Sequence, residues 1–429
     1  GSSGVEAPWC RPQRPCSPLL SFRRRGLLQG FLACASGRAQ MALWEVIGGA
    51  DKGGILVRIG QELITDTEKE RLSTGAVIEE LQLIGERLHY TLKEGLGPEE
   101  GWVSVRVNGR DLVQPLAEPE DEEAGAPGEA GPVEVDEGLR WHLQEAAAAK
   151  RKEGHFSYYL MKYKPLGYPL ASPKLRVLCF HCELSSEAIF TGAGGPFMGW
   201  AKESQAVEVC AFDYPGRNRL LKAPKHTSTE SLAPELLAVF LEQLADGVPY
   251  IVWGHSVGAW VAFEFLMLAR RIGLPMPKAS FFMAFPAPHL PAAKRPWRKS
   301  KRLGEEALKE ELLNWDKGHF LGPGQVVFDM PSWKDTWEPL MRAEFQLFDE
   351  YKFRHNGAPK FDFPIHSWHF DLEHYVKPEM VERWEDWTSS AFSFEVLHGM
   401  GHLTCFYRPE LKKQYFQKVT DIIKGYVNL

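Results

Sequence analysis

The sequence predicts an α/β fold, with a doubly wound and mostly parallel sheet behind a smaller all-β region. Three observations lead to this prediction. From about residue 155 to 429, apolar runs that suit buried strands alternate with helical segments. The pentapeptide Gly-His-Ser-Val-Gly at 254–258 lies between such a strand and such a helix. In residues 42–115, by contrast, short strand-like runs are separated by Gly-rich turns.

The first 40 residues form an extension of distinct composition. Arginine is frequent there and Glu6 is the only acidic residue, while Met41 is the first methionine of the chain. An Arg-rich, acid-poor composition is typical of a transit peptide, and residues 1–4 resemble the remnant of an expression tag. We expect disorder in residues 1–40, whether they target the protein to a plastid or mitochondrion or have no role. Without targeting, we expect a cytoplasmic protein.

Residues 42–115 are predicted to form a small all-β, barrel-like accessory domain. The Gly-rich stretch 48–54 lacks the Gly-Lys-Ser/Thr ending of a phosphate loop, so we assign its glycines to tight turns. Residues 116–154 follow as an acidic linker rich in Pro, Gly and Ala, ending in a helix over 139–152 that either caps the next domain or extends the linker. The strand candidates of the accessory domain are 44–47, 55–58, 77–81, 87–92 and 101–105.

Residues 155–429 are predicted to form the α/β domain, and its length suits about eight strands. Residues 301–342 interrupt the alternation of strands and helices with helical pieces and Pro/Gly breaks. An insertion of this kind usually forms a lid over an active site. The strand candidates are 175–180, 208–212, 250–253, 279–285, 363–368 and 394–397.

The Gly-His-Ser-Val-Gly pentapeptide is typical of the nucleophile elbow of an α/β-hydrolase. The apolar run 250–253 suits the strand before it, and residues 259–271 suit the helix after it. Glycine is needed at Gly254 and Gly258 because a side chain there would collide with the neighbouring strand or helix. The tight turn holds Ser256 in a strained conformation with its hydroxyl above the sheet. Ser256 is therefore the predicted nucleophile.

A nucleophilic serine of this fold needs an Asp or Glu and then a His later in the chain. His402 lies in a Gly-containing turn after strand 394–397 and is the candidate base, preferred over His398, which directly follows that strand. The acid should come after the preceding strand, where both Asp371 and Glu373 qualify. Spacing alone leaves these two carboxylates open.

Composition indicates an ordinary globular enzyme of more than one domain. The 429 residues exceed what one hydrophobic core usually holds. A net charge of −6 gives no indication of nucleic-acid binding, and no apolar run approaches the length of a membrane span. The seven cysteines are scattered, and Cys179 and Cys182 form a C-x-x-C without a partner pair. We therefore expect buried reduced thiols and no metal site.

Five sequence blocks, in order across residues 170–425, resemble the type II thioesterases that serve polyketide synthases, nonribosomal peptide synthetases and animal fatty-acid synthase. The resemblance implies an α/β-hydrolase with a helical lid that hydrolyses acyl thioesters. The blocks are x-x-P-G-R at 213–217, G-H-S-x-G at 254–258, A-P-x-x-P at 287–291, a P-x-x-R-A-D-F-like segment at 339–345 followed by Tyr351, and Gly401-His402.

The resemblance also bears on the acid and on the oxyanion hole. When this chain is aligned with the family, Glu373 stands at the position of the family's acid, and the distance to Trp384 and Trp387 supports this alignment. The resemblance therefore favours Glu373, with Asp371 as the alternative. The backbone N–H of Val257 is expected to supply one oxyanion donor. The second is expected from Cys182 or Glu183, in the loop 181–185. The family has small residues in this loop, so its bulk and charge here put the geometry of the oxyanion hole in question.

The expected reaction is hydrolysis of an acyl thioester through an acyl-serine, with Ser256 as nucleophile, His402 as base and Glu373 as acid. The resemblance implies an acyl carrier protein as partner and its phosphopantetheine arm as leaving group, with no cofactor of the enzyme's own, and we expect a monomer. A carboxylesterase or lipase would use the same residues, and a catalytically weak docking protein is the non-enzyme alternative. Five aromatic residues are candidates for an acyl channel or are ordinary core: Trp315, Phe320, Phe328, Trp333 and Trp337.

Overall fold

The computed structural model describes most of the chain after position 41. The predicted extension 1–40 and the acidic centre of the linker, 117–126, lie outside the described residues. The described part belongs to one compact unit, and the predicted domain boundaries remain predictions. The described residues are 42–116, 127–129, 133–152 (backbone only at 150–152), 170, 172–192, 195–217 and 220–427.

Residues 43–115 fold into an antiparallel sheet with a small core of its own. The strands are β1 (Leu43–Val46), β2 (Ile55–Arg58), β3 (Thr67–Leu72), β4 (Val77–Ile84), β5 (Arg87–Glu94), β6 (Glu100–Ser104), β7 (Arg106–Val107), β8 (Arg110–Asp111) and β9 (Val113–Pro115). Seven of them pair in the order β3-β2-β6-β5-β4-β1-β9, and β7 and β8 form a separate ribbon. Val57, Leu88 and Val103 are fully buried in the core.

The barrel-like domain predicted for this region is not confirmed. Strands β3 and β9 are the two ends of the seven-stranded order, and no pairing among the described residues joins them. Strand β3 is also absent from the strands predicted above. Its sequence, Thr-Glu-Lys-Glu-Arg-Leu, carries almost no apolar residue and therefore lacks the alternation that predicts a strand. Charged residues on an edge strand oppose unwanted pairing with other chains.

The C-terminal part contains a sheet in which every pairing is parallel. Its strands are β10 (Leu175–Phe180), β11 (Val207–Ala211), β12 (Tyr250–His255), β13 (Ala279–Met283), β14 (Ile365–Phe370) and β15 (Phe392–Leu397). Their spatial order is β11-β10-β12-β13-β14-β15. The predicted α/β class is thereby confirmed, although the described residues contain six strands in this sheet where the length predicts about eight.

Helices precede, connect and follow the parallel strands. None of those in the described residues is long and apolar enough to cross a membrane. They are α1 (Glu137–Lys152), α2 (Ala188–Thr191), α3 (Pro196–Ser204), α4 (Thr229–Ala245), α5 (Val257–Arg271), α6 (Glu305–Trp315), α7 (Lys317–Phe320), α8 (Glu338–Asp349), α9 (Pro378–Glu382), α10 (Thr404–Tyr407) and α11 (Pro409–Val427).

Helices cover both faces of the parallel sheet. Phe180 of β10 is in register with Gly254, one residue beyond Trp253 in β12, so the rings of Phe180 and Trp253 point to opposite faces. Phe180 contacts Phe265 of α5, whereas Trp253 contacts Phe416 of α11. Burial on both faces accounts for the nearly continuous apolar sequence of β10, β12 and β13, in which every residue is buried.

Helix α1 packs against α4. Its residues Leu143 and Ala147 belong to the main hydrophobic core. Of the two arrangements predicted for the helix over 139–152, capping of the following domain is therefore the one observed.

The segment between β13 and β14 carries α6, α7 and α8, where the sequence predicts an insertion. Its helices begin at Glu305 and end at Asp349, so the helical part continues past the predicted end at residue 342. Two hydrogen bonds fix its end: Ser300 donates both its N–H and its hydroxyl to Asp349 Oδ2, at 2.7 and 2.6 Å. Tyr351 then donates to Glu264 of α5 at 2.7 Å. The insertion is thus anchored on the helix that begins beside Ser256.

Candidate active site

Ser256 forms the turn between β12 and α5, and no other residue separates the two elements. Its backbone φ is 56° and its ψ is −135°, a conformation that residues with a side chain rarely adopt. A Cβ at Gly254 would lie 2.5 Å from Ala259 Cα, and a Cβ at Gly258 would lie 2.3 Å from the carbonyl oxygen of Phe180. Glycine at these two positions therefore lets β12, α5 and β10 approach one another around the serine.

The side chains of Ser256, His402 and Glu373 are hydrogen-bonded in series. His402 Nε2 lies 2.6 Å from Ser256 Oγ, and His402 Nδ1 lies 3.1 Å from Glu373 Oε1. Ser256 and His402 have no exposed surface, and Glu373 is 9% exposed. In this order an imidazole can take the serine proton while the carboxylate orients the ring. The predicted nucleophile, base and preferred acid are thus in contact.

The alternative candidates, Asp371 and His398, pair with each other. Asp371 Oδ2 lies 3.1 Å from His398 Nδ1, and Asp371 Oδ1 accepts the Gly399 N–H at 2.7 Å. The His398 side chain is 82% exposed. Asp371 is the first residue after β14 and turns towards the surface, whereas Glu373, two residues later, is buried against His402. Asp371 therefore stabilises the loop before His402 from its outer side.

His255, the second residue of the pentapeptide, holds the backbone of His402. Because a carbonyl oxygen only accepts, His255 Nε2 donates to the His402 carbonyl at 2.8 Å, and His255 Nδ1 then accepts from the Tyr415 hydroxyl at 3.0 Å. Burial and the neighbouring His402 lower the pKa of His255 well below its usual value, which favours this neutral form. Sequence reasoning missed this contact because it joins residues 147 positions apart.

The insertion contacts the base as well. The Trp315 ring lies 5.0 Å from the His402 ring, centroid to centroid. Asp316 Oδ2 accepts the N–H groups of Leu403 and Thr404 at 2.7 and 2.9 Å. Asp316 Oδ1 also accepts the His319 N–H at 2.9 Å, at the start of α7. Asp316 therefore couples the insertion to the backbone that directly follows His402.

The side chain of Glu183 reaches the nucleophile. Glu183 Oε2 accepts the Ser256 hydroxyl at 2.9 Å, and Glu183 Oε1 lies 3.5 Å from His402 Nε2. The sequence predicted only a backbone role for Glu183, as one of two candidate oxyanion donors with Cys182. The carboxylate contact is the functional feature that sequence reasoning missed. Its signal was the charged residue in a loop where the family has small ones.

Val257 and Cys182 are the other two predicted oxyanion donors. Val257 is the first residue of α5, so its N–H has no acceptor within the helix. Cys182 is fully buried, and its carbonyl accepts the Ser185 hydroxyl at 2.9 Å. Burial raises the pKa of the Cys182 thiol, which keeps this sulfur protonated and unreactive.

The loop that carries Glu183 is fixed by three side chains of other elements. The Leu184 N–H donates to Glu344 Oε2 at 2.7 Å, and Arg217 pairs with the same carboxylate through two nitrogens. The His181 ring stacks on Tyr214, with centroids 3.8 Å apart. Leu184 itself has a φ of 57°, which reverses the chain just after Glu183. The orientation of the Glu183 carboxylate is therefore set by the fold.

Charges around His402 favour its protonated form. Burial alone would lower the pKa of His402, but the carboxylates of Glu373 and Glu183 outweigh burial and raise that pKa to about 10. For Glu183, burial alone would raise the pKa, yet hydrogen bonds from His402 and Ser256 leave it below its usual value. A protonated His402 donates a hydrogen bond to Ser256 Oγ, and the Ser256 hydroxyl donates a hydrogen bond to Glu183. His402 can take the serine proton only in its neutral form, which the charge of the Glu183 carboxylate disfavours.

Comparison with known proteins gives the family. The sequence profile described as "Thioesterase domain" matches residues 176–414, more than half of the chain. Gramicidin S biosynthesis protein GrsT of Aneurinibacillus migulanus is 26% identical over 226 residues, which are 52% of this chain and 80% of GrsT. The probable anguibactin biosynthesis thioesterase AngT of Vibrio anguillarum is 25% identical over 226 residues, which are 52% of this chain and 85% of AngT.

Among solved structures, the thioesterase RedJ of the prodiginine biosynthetic pathway in Streptomyces coelicolor is similar, with a TM-score of 0.48 and 24% identity. The similarity covers 58% of this chain and 86% of RedJ. The span matched by the family profile includes Ser256, Glu373 and His402. The chain therefore belongs to the thioesterase-domain family and is a thioester hydrolase.

Proposed function

We propose that the protein is a type II, serine-dependent thioesterase that releases acyl groups from the phosphopantetheine arm of an acyl carrier protein. The observation that supports the serine route most directly is the 2.6 Å contact between His402 Nε2 and Ser256 Oγ, with Glu373 at the other ring nitrogen. The carrier substrate is supported by the relatives, which are named for gramicidin S and anguibactin biosynthesis. Such release would edit or end polyketide, fatty-acid or nonribosomal peptide synthesis.

In the first half-reaction, Ser256 Oγ attacks the thioester carbonyl carbon while His402 takes the hydroxyl proton. A C–O bond forms, and the carbonyl oxygen becomes an oxyanion that the N–H groups of Val257 and of Cys182 or Glu183 would hold. Glu373 stabilises the imidazolium. The C–S bond then breaks, His402 returns its proton to the leaving thiolate, and the acyl group remains on Ser256.

In the second half-reaction, water attacks the acyl-serine. His402 takes a proton from the water and then gives a proton to Ser256 Oγ as the ester bond breaks. The products are a free carboxylic acid and the regenerated serine. This reaction uses no metal and no resident cofactor, since the phosphopantetheine arm belongs to the substrate.

Substrate entry requires a conformational change, because Ser256 has no exposed surface. We assign the lid to the insertion that carries α6, α7 and α8, since its Trp315 lies against the His402 ring. Of the candidate channel aromatics, Trp315, Phe320 and Trp333 are buried, whereas Phe328 and Trp337 are partly buried against the core. Ring contacts join Phe320, Phe328 and Trp333 within the insertion.

Thiol release from acyl-carrier-protein and acyl-coenzyme A thioesters tests this proposal, with oxygen esters of the same acyl group as the comparison for a carboxylesterase. Ser256→Ala and His402→Ala should each lower kcat by about 10⁴-fold or more. Glu373→Ala should cost far more activity than Asp371→Ala, because Asp371 contacts His398 and not His402. A folded Ser256→Ala protein with wild-type release would reject the serine route. Faster hydrolysis of oxygen esters would favour the carboxylesterase.

A further inference from the structure

The carboxylate of Glu183 lies where the proposed reaction has no use for a negative charge. It is 2.9 Å from Ser256 Oγ, and its side chain is 1% exposed. During attack the carbonyl oxygen of the substrate gains negative charge next to Oγ. A fixed carboxylate there repels this charge, so Glu183 must slow hydrolysis of any acyl group that brings nothing to neutralise it.

Glu183 is held in this place by contacts on both sides of its loop. The next residue, Leu184, donates its N–H to Glu344, and the preceding ring of His181 stacks on Tyr214. The serine itself donates to the carboxylate. A charged side chain that is buried and oriented by several elements is a built part of the site.

The described residues leave an excess of negative charge at the site. Glu183 and Glu373 both contact His402, which supplies one positive charge for two carboxylates. Arg217, on the neighbouring loop, is already paired with Glu344. A buried charge is costly unless it is paired. A positive group on the substrate would complete the pairing.

We propose that Glu183 is a specificity-determining residue that selects acyl groups with an ammonium group on the carbon next to the thioester carbonyl, that is, aminoacyl thioesters. In a near-attack complex the carbonyl carbon lies about 3–3.5 Å from the nucleophilic oxygen. An α-ammonium nitrogen is two bonds from that carbon, which brings it within reach of a carboxylate 2.9 Å from Ser256 Oγ. The inference rests on the proposed serine route.

Binding of the ammonium group also prepares the serine for attack. An ammonium that pairs with Glu183 neutralises the charge of this carboxylate and competes with Ser256 and His402 for its oxygens. The serine hydroxyl is then free to donate to His402 Nε2, which lies 2.6 Å away. The correct substrate thereby helps to bring about the hydrogen bonding that its own hydrolysis requires, whereas an uncharged acyl group leaves the serine hydroxyl hydrogen-bonded to Glu183.

Two thioesters with the same carbon skeleton test the inference, leucyl-pantetheine and 4-methylpentanoyl-pantetheine. Because the ammonium group activates a thioester chemically, each kcat/KM is divided by the rate of hydroxide-catalysed hydrolysis of that compound. The wild type should favour the leucyl thioester by at least about tenfold. Glu183→Gln should bring the ratio close to one and raise the rate for 4-methylpentanoyl. Exposed Glu382→Gln is the matched control and should keep the wild-type ratio.

A second measurement uses the wild type alone, so that the test does not depend on folding of the variant. N-formylleucyl-pantetheine keeps the leucyl skeleton and lacks the charge, and it should lose the advantage of the leucyl thioester. A wild-type ratio near one, or a preference that survives in Glu183→Gln, would overturn the role of Glu183. Serine-dependent release of both compounds at equal rates would reject this inference only. Release that persists in Ser256→Ala would reject the serine route itself.

Discussion

Replacement of Glu183 by glutamine should shift the pH dependence of hydrolysis to lower pH. His402 acts as a base only when neutral, and against the effect of burial its two carboxylate neighbours raise its pKa to about 10. Glu183→Gln keeps the size of the side chain and removes one of these negative charges. Loss of a negative charge destabilises the imidazolium, so the pKa of His402 must fall in the variant.

The size of the shift follows from the contact distance. An opposite charge within about 4–6 Å typically shifts a pKa by about 1–3 units, and Glu183 Oε1 lies 3.5 Å from His402 Nε2. With a pKa of about 10, about one His402 side chain in a thousand is neutral at pH 7. The variant should therefore raise the neutral fraction at pH 7 by about 10- to 500-fold. kcat/KM should rise by the same factor as long as proton transfer limits the rate.

The assay is kcat/KM for 4-methylpentanoyl-pantetheine from about pH 6 to about pH 10, because this substrate does not itself titrate there and the profile reports the free enzyme. The acid limb should move to lower pH in Glu183→Gln and stay in place in Glu382→Gln. His255 does not account for this limb, since burial and His402 hold its pKa well below the usual value. Superimposable profiles of wild type and Glu183→Gln would refute the reasoning.

Three further predictions concern other parts of the structure. Asp316→Ala should lower kcat by about tenfold or more with little change in KM, because the N–H groups after His402 lose a charged acceptor. Asp316→Asn keeps an acceptor oxygen and should recover part of kcat. An unchanged kcat in both variants would contradict the coupling between the insertion and the backbone after His402. Gly258→Ala should abolish stable folding because its Cβ meets a backbone oxygen at 2.3 Å, whereas Gly199→Ala, with nothing within 4 Å, should keep or raise the melting temperature. Burial raises the pKa of Asp349 from 3.8 to about 8, so the folded state keeps a proton that the unfolded chain has lost. The contribution of Asp349 to the free energy of unfolding should therefore fall between about pH 4 and pH 8 and level off above. Denaturant titrations over this range should show a smaller fall for Asp349→Asn than for the wild type, and equal falls would contradict this.

The elbow and the strands around it were predictable because their determinants are local. Two glycines flanking Ser256, an apolar run before it and a helical run after it specify the turn without reference to the rest of the chain. Strand bounds were less accurate. The prediction placed β14 at 363–368, whereas it spans Ile365–Phe370, because Pro364 lacks the N–H that a central strand needs.

The choice between Asp371 and Glu373 required tertiary structure. The two residues lie in one turn, and each finds a histidine, His398 for Asp371 and His402 for Glu373. Sequence spacing left both open because it does not show which residue of the turn points inward. The resemblance to a known family favoured Glu373, the residue that contacts His402.

The position of the Glu183 carboxylate was beyond sequence reasoning for a similar reason. The sequence shows that its loop is bulky and charged, but the direction of the side chain depends on the positive φ of Leu184 and on a hydrogen bond to Glu344, 160 residues away. Strand β3 escapes prediction because its own sequence lacks the pattern of a strand. An edge strand with charged residues carries no apolar alternation from which to predict it.

The identity of the residue that carries the acyl group during turnover tests the central claim most directly. Wild-type protein is mixed with an acyl thioester, quenched with acid within one turnover, digested and analysed by mass spectrometry. The account predicts the acyl mass on the peptide that contains Ser256, and its loss together with thiol release in Ser256→Ala. Turnover with the acyl group on another residue, such as Cys182, or with unchanged thiol release in folded Ser256→Ala, would contradict it.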